Sequence, residues 1–274
     1  MNNFVKRTLS GFLFVSLIVG SILLSKFSFA PVFALICGWA VYEFHKLTNI
    51  QSTVEVNPWI ALLGGVMIFL CSYLYASGIW LYPVYSIYGI YIVLVLIFEL
   101  YRQKGNPIHN WAYFILGQIF IALPFCLLNF ILFIDKWQPL LLLAVFVTIW
   151  VNDTGAYLIG VTFGKHRLFE RISPKKSWEG FVGGALAALL SGYVFSLLIP
   201  EINLVKWLIF SEIIVVFGTF GDLIESQIKR TIDVKDSGNV IPGHGGLLDR
   251  FDSMLLASPV VFIYLSFLFD QGIK

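Results

Sequence analysis

The stretch Pro139-Leu-Leu-Leu-Leu-Ala-Val-Phe-Val-Thr-Ile-Trp-Val-Asn-Asp-Thr-Gly-Ala-Tyr-Leu-Ile-Gly160 decides the fold. A helix crosses the hydrocarbon core with about 20 mostly apolar residues, and this run supplies them. Its one charge, Asp153, stands where lipid makes an unpaired carboxylate costly. The rest of the 274-residue chain repeats the pattern: 58% of residues are hydrophobic and only 12% charged, with a mean hydropathy of +0.86. A typical soluble domain is about 25% charged. So little charge cannot cover a surface facing water, which excludes a soluble globular fold, and the same composition excludes disorder. The aromatic content of 17%, with 26 Phe, 12 Tyr and 8 Trp, suits a chain with two membrane interfaces. A net charge of +2 is too small to point to nucleic acid.

Outward from this stretch, similar runs occur at Leu9–Ser25, Phe27–Phe44, Pro58–Tyr75, Tyr85–Glu99, Trp111–Ile131, Gly180–Ile199, Leu204–Gly221 and Met254–Phe269. The expectation is an all-α polytopic membrane protein of about nine spans. The first two spans, parted only around Lys26, should form a tight helical hairpin, and Pro124 should kink the Trp111 run. Lys6-Arg7, the apolar run after it and Ser28-Phe29-Ala30 imitate a signal peptide. Pro31 would follow the cut and the next span begins at once, so an uncleaved first helix is expected. Basic residues gather on the cytoplasmic side of a membrane protein. With a cytoplasmic N-terminus and nine spans, all of the 18 Lys and Arg fall on that side except Lys26, Lys136, Lys206 and Lys274. Cys37, Cys71 and Cys126 lie in apolar runs, without CxxC spacing or a nearby His, and read as small core residues. One membrane domain is expected, with N-terminal helices over 1–137 and a C-terminal half over 138–274 that carries the polar chemistry in loops 161–179 and 223–252.

Two segments of that half point to phosphate. Ser173-Pro174-Lys175-Lys176-Ser177 joins hydroxyls and ammonium groups to an expected helix start, where N–H groups and the helix dipole favour anions. Gly160-Val-Thr-Phe-Gly164-Lys165 imitates a nucleotide P-loop, but it is one residue short and His166 replaces the required Ser or Thr. Gly160/Gly164 and Gly180/Gly184 instead read as small pairs for close helix packing. The second segment, Ser226 to Asp252, is denser. With the residues just before it, it holds Asp222, Glu225, Asp233, Asp236, Asp249 and Asp252 beside Lys229, Arg230, Lys235 and Arg250, around the glycine-rich turn Gly243-His-Gly-Gly246. Carboxylates hold Mg2+, cations neutralise phosphates, and glycines let backbone N–H groups approach a ligand. Glu99 is read as reaching water from a span end. Glu212 is mid-span and has no motif around it.

The Ser226–Asp252 segment resembles the signature of phosphatidate cytidylyltransferases, also called CDP-diglyceride synthetases. Ser226, Lys229, Arg230, Lys235, Asp236, Gly238, Pro242, His244, Gly245, Gly246, Asp249, Arg250 and Asp252 all match, with no departure. Asn152-Asp153-Thr154, Ser173–Glu179 and the span count extend the likeness. The resemblance implies transfer of CMP from CTP to phosphatidate, giving CDP-diacylglycerol and pyrophosphate in phospholipid biosynthesis. It further implies a homodimer in the cell (inner) membrane, with its active site on the cytoplasmic side. It implies Mg2+ and allows a second cation such as K+. Asp222 and Asp249 would hold metal, with Asp153 as a third ligand. Lys229, Arg230, His244 and Arg250 would join them in catalysis. Ser173, Lys175, Lys176, Ser226, Lys235, Gly245 and Gly246 would bind substrate phosphates. A CTP-using lipid kinase and an ion transporter are the competing readings. The Asp-Gly…Ala-Arg pattern of CDP-alcohol phosphotransferases is not found here.

Overall fold

In the computed structural model, which describes residues 3–81, 83–238, 240 and 245–270, short polar residues punctuate the apolar runs and begin helices. Helix α1 (Asn3–Leu24) turns into α2 (Lys26–Thr48) across the single residue Ser25. Its hydroxyl accepts from Phe27 N, while Ser28 Oγ donates to Ser21 and Ser25 carbonyls. The expected hairpin is therefore present. Asn57 caps α3 (Pro58–Ala76) and Asn106 caps α5 (Pro107–Leu132), each followed by proline at the first helical position. There the missing N–H costs nothing. Between these lies α4 (Val84–Arg102). Helix α5 contains a π-helical turn, Gln118–Ala122, just before Pro124. The wide turn accommodates the ring that would otherwise clash with the carbonyl four residues back.

The second half holds α6 (Pro139–Phe163), strands β1 (Arg167–Phe169) and β2 (Ser173–Ser177), α7 (Trp178–Leu198), α8 (Leu204–Thr231) and α9 (Leu248–Asp270). Eight of these nine helices are long and apolar enough to span a membrane. In α1 the apolar stretch, Thr8–Leu24, is shorter. Successive helices alternate in direction. Tyr73 OH donates to Lys26 O at one end of the bundle, and Tyr264 OH to Lys206 O. At the opposite end Leu248 N donates to Glu43.

Three sequence expectations need correction here. Residues 223–231 are helical rather than loop: the charges at Asp222 and beyond mark an apolar boundary, while the backbone continues for over two more turns. Ser173–Ser177 is a strand, antiparallel to β1 with Arg167 opposite Ser177 and Phe169 opposite Ser173, but the helix start expected beside it is present: Ser177 caps the helix that begins at Trp178, its hydroxyl accepting from Gly180 N. Glu179 lies in that helix's first turn. Its carboxylate accepts from Lys165 N and His166 N and pairs with His166 Nδ1 at 2.5 Å, which ties the hairpin to the first turn of α7. Lastly, Glu99 does not reach water. It is 7% exposed and is held by Arg102 at 3.2 Å and Asn110 Nδ2 at 2.6 Å.

Large aromatics fill the centre, with Phe29 stacked on Phe33 at 4.4 Å and Phe125 against Phe251 at 5.2 Å. The three cysteines are buried there and free. Helices α6 and α7 pack differently, backbone to backbone. A Cβ at Gly180 would meet Ala156 O at 2.9 Å, and one at Gly155 would meet Ala187 Cβ at 2.6 Å. This is the close packing expected of the small-residue pairs.

Candidate active site

Helix α8 carries Asp222, Glu225, Ser226 and Lys229 at a spacing of three and four residues, which places them on one face. The facing turn of α9 carries Asp249 and Asp252. The two helices cross where Gly221 abuts the carbonyls of Asp252 and Ser253, and a side chain at 221 would collide with both. That crossing brings two sets of charges together.

One set centres on Asp222. Lys176 Nζ, reaching from β2, pairs with its Oδ2 at 2.6 Å, and Ser226 Oγ donates to its Oδ1 at 3.1 Å. Asp153 on α6 and Asp252 on α9 are close enough to feel the charge of Asp222, and Lys176 and Arg250 act on Asp153 with opposite sign. Asp153 and Asp222 line a cavity of about 330 Å3 shared with Lys175, Lys176, Ser177 and Gly180, with Tyr157, Leu168 and Phe181 on its apolar side. Small-molecule sites begin at about 300 Å3. Asp153 is ten residues inside the end of α6, about 15 Å along the helix axis. Its side chain is open to the cavity.

The other set centres on Lys229. Its Nζ sits between Glu225 Oε2 at 2.5 Å and Asp249 Oδ1 at 2.8 Å. Asp249 also accepts from Ser237 N at 3.1 Å and Gly246 N at 2.8 Å. Thus Asp222 and Asp249, paired in the sequence reading, answer to different lysines. Arg230, Lys235 and Arg250 are exposed around it and Ser173 is half-buried. Gly245 has φ +83, which favours glycine, and Gly246 supplies the N–H to Asp249. His244, with Pro242 and Gly243, lies outside the described residues.

Sequence reasoning named two further carboxylates of this region without giving either a role of its own. Asp252 was part of the matching signature but received no role, although the i, i+3 spacing from Asp249 puts it on the same face. Glu225 is 2% exposed and pairs with Lys229. The helical stripe 222/225/226/229 is the signal that could have found it, had the helix not been ended at Gly221.

Among the described residues, no three His, Cys, Asp or Glu side chains group closely enough to hold a metal ion by themselves. Mg2+ asks for less: one or two carboxylates, with waters and phosphate oxygens completing its shell. The hard oxygen donors of Asp222 and Asp153, facing one cavity, fit that requirement.

Carboxylates and ammonium groups gather at the end of an apolar bundle, around a cavity that Lys175 and Lys176 share with Asp153 and Asp222. The chain belongs to the cytidylyltransferase family, whose pattern it matches over residues 5–268. It is 34% identical over 261 residues to a phosphatidate cytidylyltransferase of Staphylococcus haemolyticus, covering 81% of this chain and 98% of that one. It is 38% identical over 179 residues to the Bacillus subtilis phosphatidate cytidylyltransferase, covering 64% of this chain and 65% of the other. With that of Staphylococcus saprophyticus the identity is 46% over 126 residues, about half of either chain (45% and 48%).

Proposed function

We propose that this integral membrane protein transfers CMP from CTP to phosphatidate, releasing pyrophosphate and forming CDP-diacylglycerol. The observation that carries the reading is the cavity in which Asp153 and Asp222 face Lys175 and Lys176, in a chain whose family and relatives are cytidylyltransferases. A phosphate oxygen of the lipid forms a bond to the α-phosphorus of CTP, and the bond from that phosphorus to the bridging oxygen of pyrophosphate breaks. The attacking monoester is already ionised, so no strong base is needed. The obstacle is repulsion between two polyanions, and fixed cations lower it.

Lys176 is held in place by Asp222, with Lys175 beside it in the cavity wall, and Lys229 is held by Asp249. Their ammonium groups attract the phosphates of CTP and the lipid. Arg230, Lys235 and Arg250 extend the positive rim, and Ser173 and the N–H of Gly245 add hydrogen-bond donors, while Ser226 and Gly246 hold Asp222 and Asp249 in place. Asp222 and Asp153, which face one cavity, would hold Mg2+; Asp249, which the resemblance adds to them, is turned to Lys229, and a second cation such as K+ rests on the resemblance alone. The metal would supply further neutralisation of phosphate charge.

The positive-inside rule supports a cytoplasmic N-terminus and a cytoplasmic active site: the bundle end that carries the site also carries Lys46, Arg102 and the hairpin cations. Bacterial relatives support the cell membrane as its location. The family resemblance supports a homodimer, for which α4, the least buried span, offers an outer face. Purified protein given phosphatidate, Mg2+ and CTP labelled at the α or the γ phosphorus tests the reaction. The α label should enter lipid and the γ label should leave as pyrophosphate. Entry of γ label into lipid would make the protein a kinase. A cysteine at Glu170, on the exposed hairpin, tests sidedness, since it should react with an impermeant thiol reagent only from the cytoplasmic face.

A further inference from the structure

Glu43 lies within α2, in a run that reads as plain membrane span, yet its carboxylate meets the loop before α9. It is 3% exposed. Its Oε2 accepts from Leu248 N at 2.8 Å and from Ser237 Oγ at 3.3 Å. Leu248 is the first residue of α9. The opening N–H groups of a helix have no partner within it and carry the positive end of its dipole. Here a side chain from 205 positions earlier in the chain takes up one of them.

The fit is close. A Cβ at Gly246 would meet Glu43 Oε2 and Gly238 N at 2.7 Å, and one at Gly238 would meet Glu43 Oε1 at 2.5 Å. Gly246, which from sequence alone reads as an opening for a ligand, and Gly238 of the same signature segment are openings for this carboxylate. The contact leads on to the active site. Ser237, bonded to Glu43 through its hydroxyl, donates its N–H to Asp249, and so does Gly246. Asp249 in turn holds Lys229.

We propose that Glu43 is a positioning residue for CMP transfer. As a cap supplied by the N-terminal half, it fixes the start of α9 and the segments around Ser237 and Gly246, and through them the orientation of Asp249 and Lys229. The inference rests on the reaction proposed above. It explains why a carboxylate is buried in a span where a methionine would fill the same space.

The test uses the full-length protein in detergent with phosphatidate and CTP. It measures kcat, KM and backbone hydrogen exchange for Glu43→Met, Glu43→Gln and Ser237→Ala. Gln keeps an acceptor oxygen for Leu248 N–H, so Glu43→Gln should stay within about tenfold of the parent. Met keeps the volume and loses the acceptor. A displacement of reacting groups by about 1 Å costs on the order of 100-fold, so Glu43→Met should lose about that much in kcat at saturating CTP. Exchange across Gly246–Arg250 should quicken, while α3 and α5 stay protected. Ser237→Ala should lose a smaller, severalfold part with the same local quickening. Wild-type kcat and unchanged exchange in Glu43→Met would overturn the proposal. Should Glu43→Met unfold throughout, unchanged kcat and exchange in Ser237→Ala would overturn it instead. Hydrogen exchange reads the clamp even if the parent protein transfers no CMP, so failure of the reaction and failure of the clamp are distinguishable.

Discussion

Helices α2–α5 and helices α6–α9 pack with different emphasis. The first group fills its centre with rings, Phe29, Phe33, Phe44, Phe69 and Phe125 being fully buried, around a glycine contact of α2 with α3 at Gly38 and Gly65. The second group has glycine crossings at each consecutive helix pair, with Gly155, Gly180, Gly183, Gly184, Gly192 and Gly221 each against a neighbouring helix. Its stacked rings, Phe195 and Trp207, lie outside the wall of the polar cavity. In lipid there is little hydrophobic force between helices, so contact area and polar bonds decide. Aromatic packing gives area and fills the centre of the bundle. Glycine crossings bring backbones together and let the side chains beside them, Asp153, Lys176 and Asp222, converge on a cavity. The comparison teaches that the first half is a buttress and the second a vessel, joined where Glu43 reaches Leu248.

The largest effect that would break this division is chemical. Asp222→Asn removes a charge from the cavity without changing its shape, and CMP transfer should fall by about 100- to 1,000-fold with the thermal midpoint in detergent little changed. Equal loss from the conservative Glu99→Gln, in the first half, would contradict the division. Next comes Lys176→Ala. Losing a charge-assisted contact worth about 1.5–3 kcal/mol should raise KM for CTP by tenfold or more, whereas Lys104→Ala should leave it unchanged. Packing comes third. Gly183→Leu would drive a side chain into Ile159, at a cost of about 1–3 kcal/mol, seen as a lower midpoint and a smaller folded fraction. Gly89→Ala meets nothing within 4 Å and should be silent. Phe33→Ala, which loses contacts with Phe29 and Phe146, should lower the midpoint while the remaining folded enzyme keeps its KM. The smallest effect is expected at Arg167 and Arg171, exposed on the hairpin, where alanine should change activity by less than about threefold in detergent.

Much of the fold is legible in hydropathy, because each span must satisfy its own backbone in lipid and therefore announces itself by length. The α1–α2 hairpin, the Gly160/Gly180 contact and the buried cysteines follow from short-range pattern. The end of α8 does not. Apolar content stops at Gly221, but a helix can leave the membrane as a helix, and only the 222/225/226/229 stripe hints that it does. The β-hairpin escapes because its strands are three and five residues long and are held by Glu179, a contact 13 and 14 residues distant. Of the site, the signature segment is readable as charge density. Its partition is not: which lysine meets which aspartate depends on the α8–α9 crossing. Glu43 is invisible from sequence, since its partners are some two hundred residues away.

The central claim is that CTP phosphates are bound in the cavity between α6, β2 and α8. An acyl-phosphate derivative of CTP, which transfers its acyl group to the lysine nearest its phosphates, tests this directly when the labelled peptides are sequenced. The account predicts labelling at Lys175 or Lys176, abolished by excess CTP and by Asp222→Asn. CTP-protected labelling confined to Lys46, Lys104 or Lys165, with Lys175 and Lys176 untouched, would contradict it.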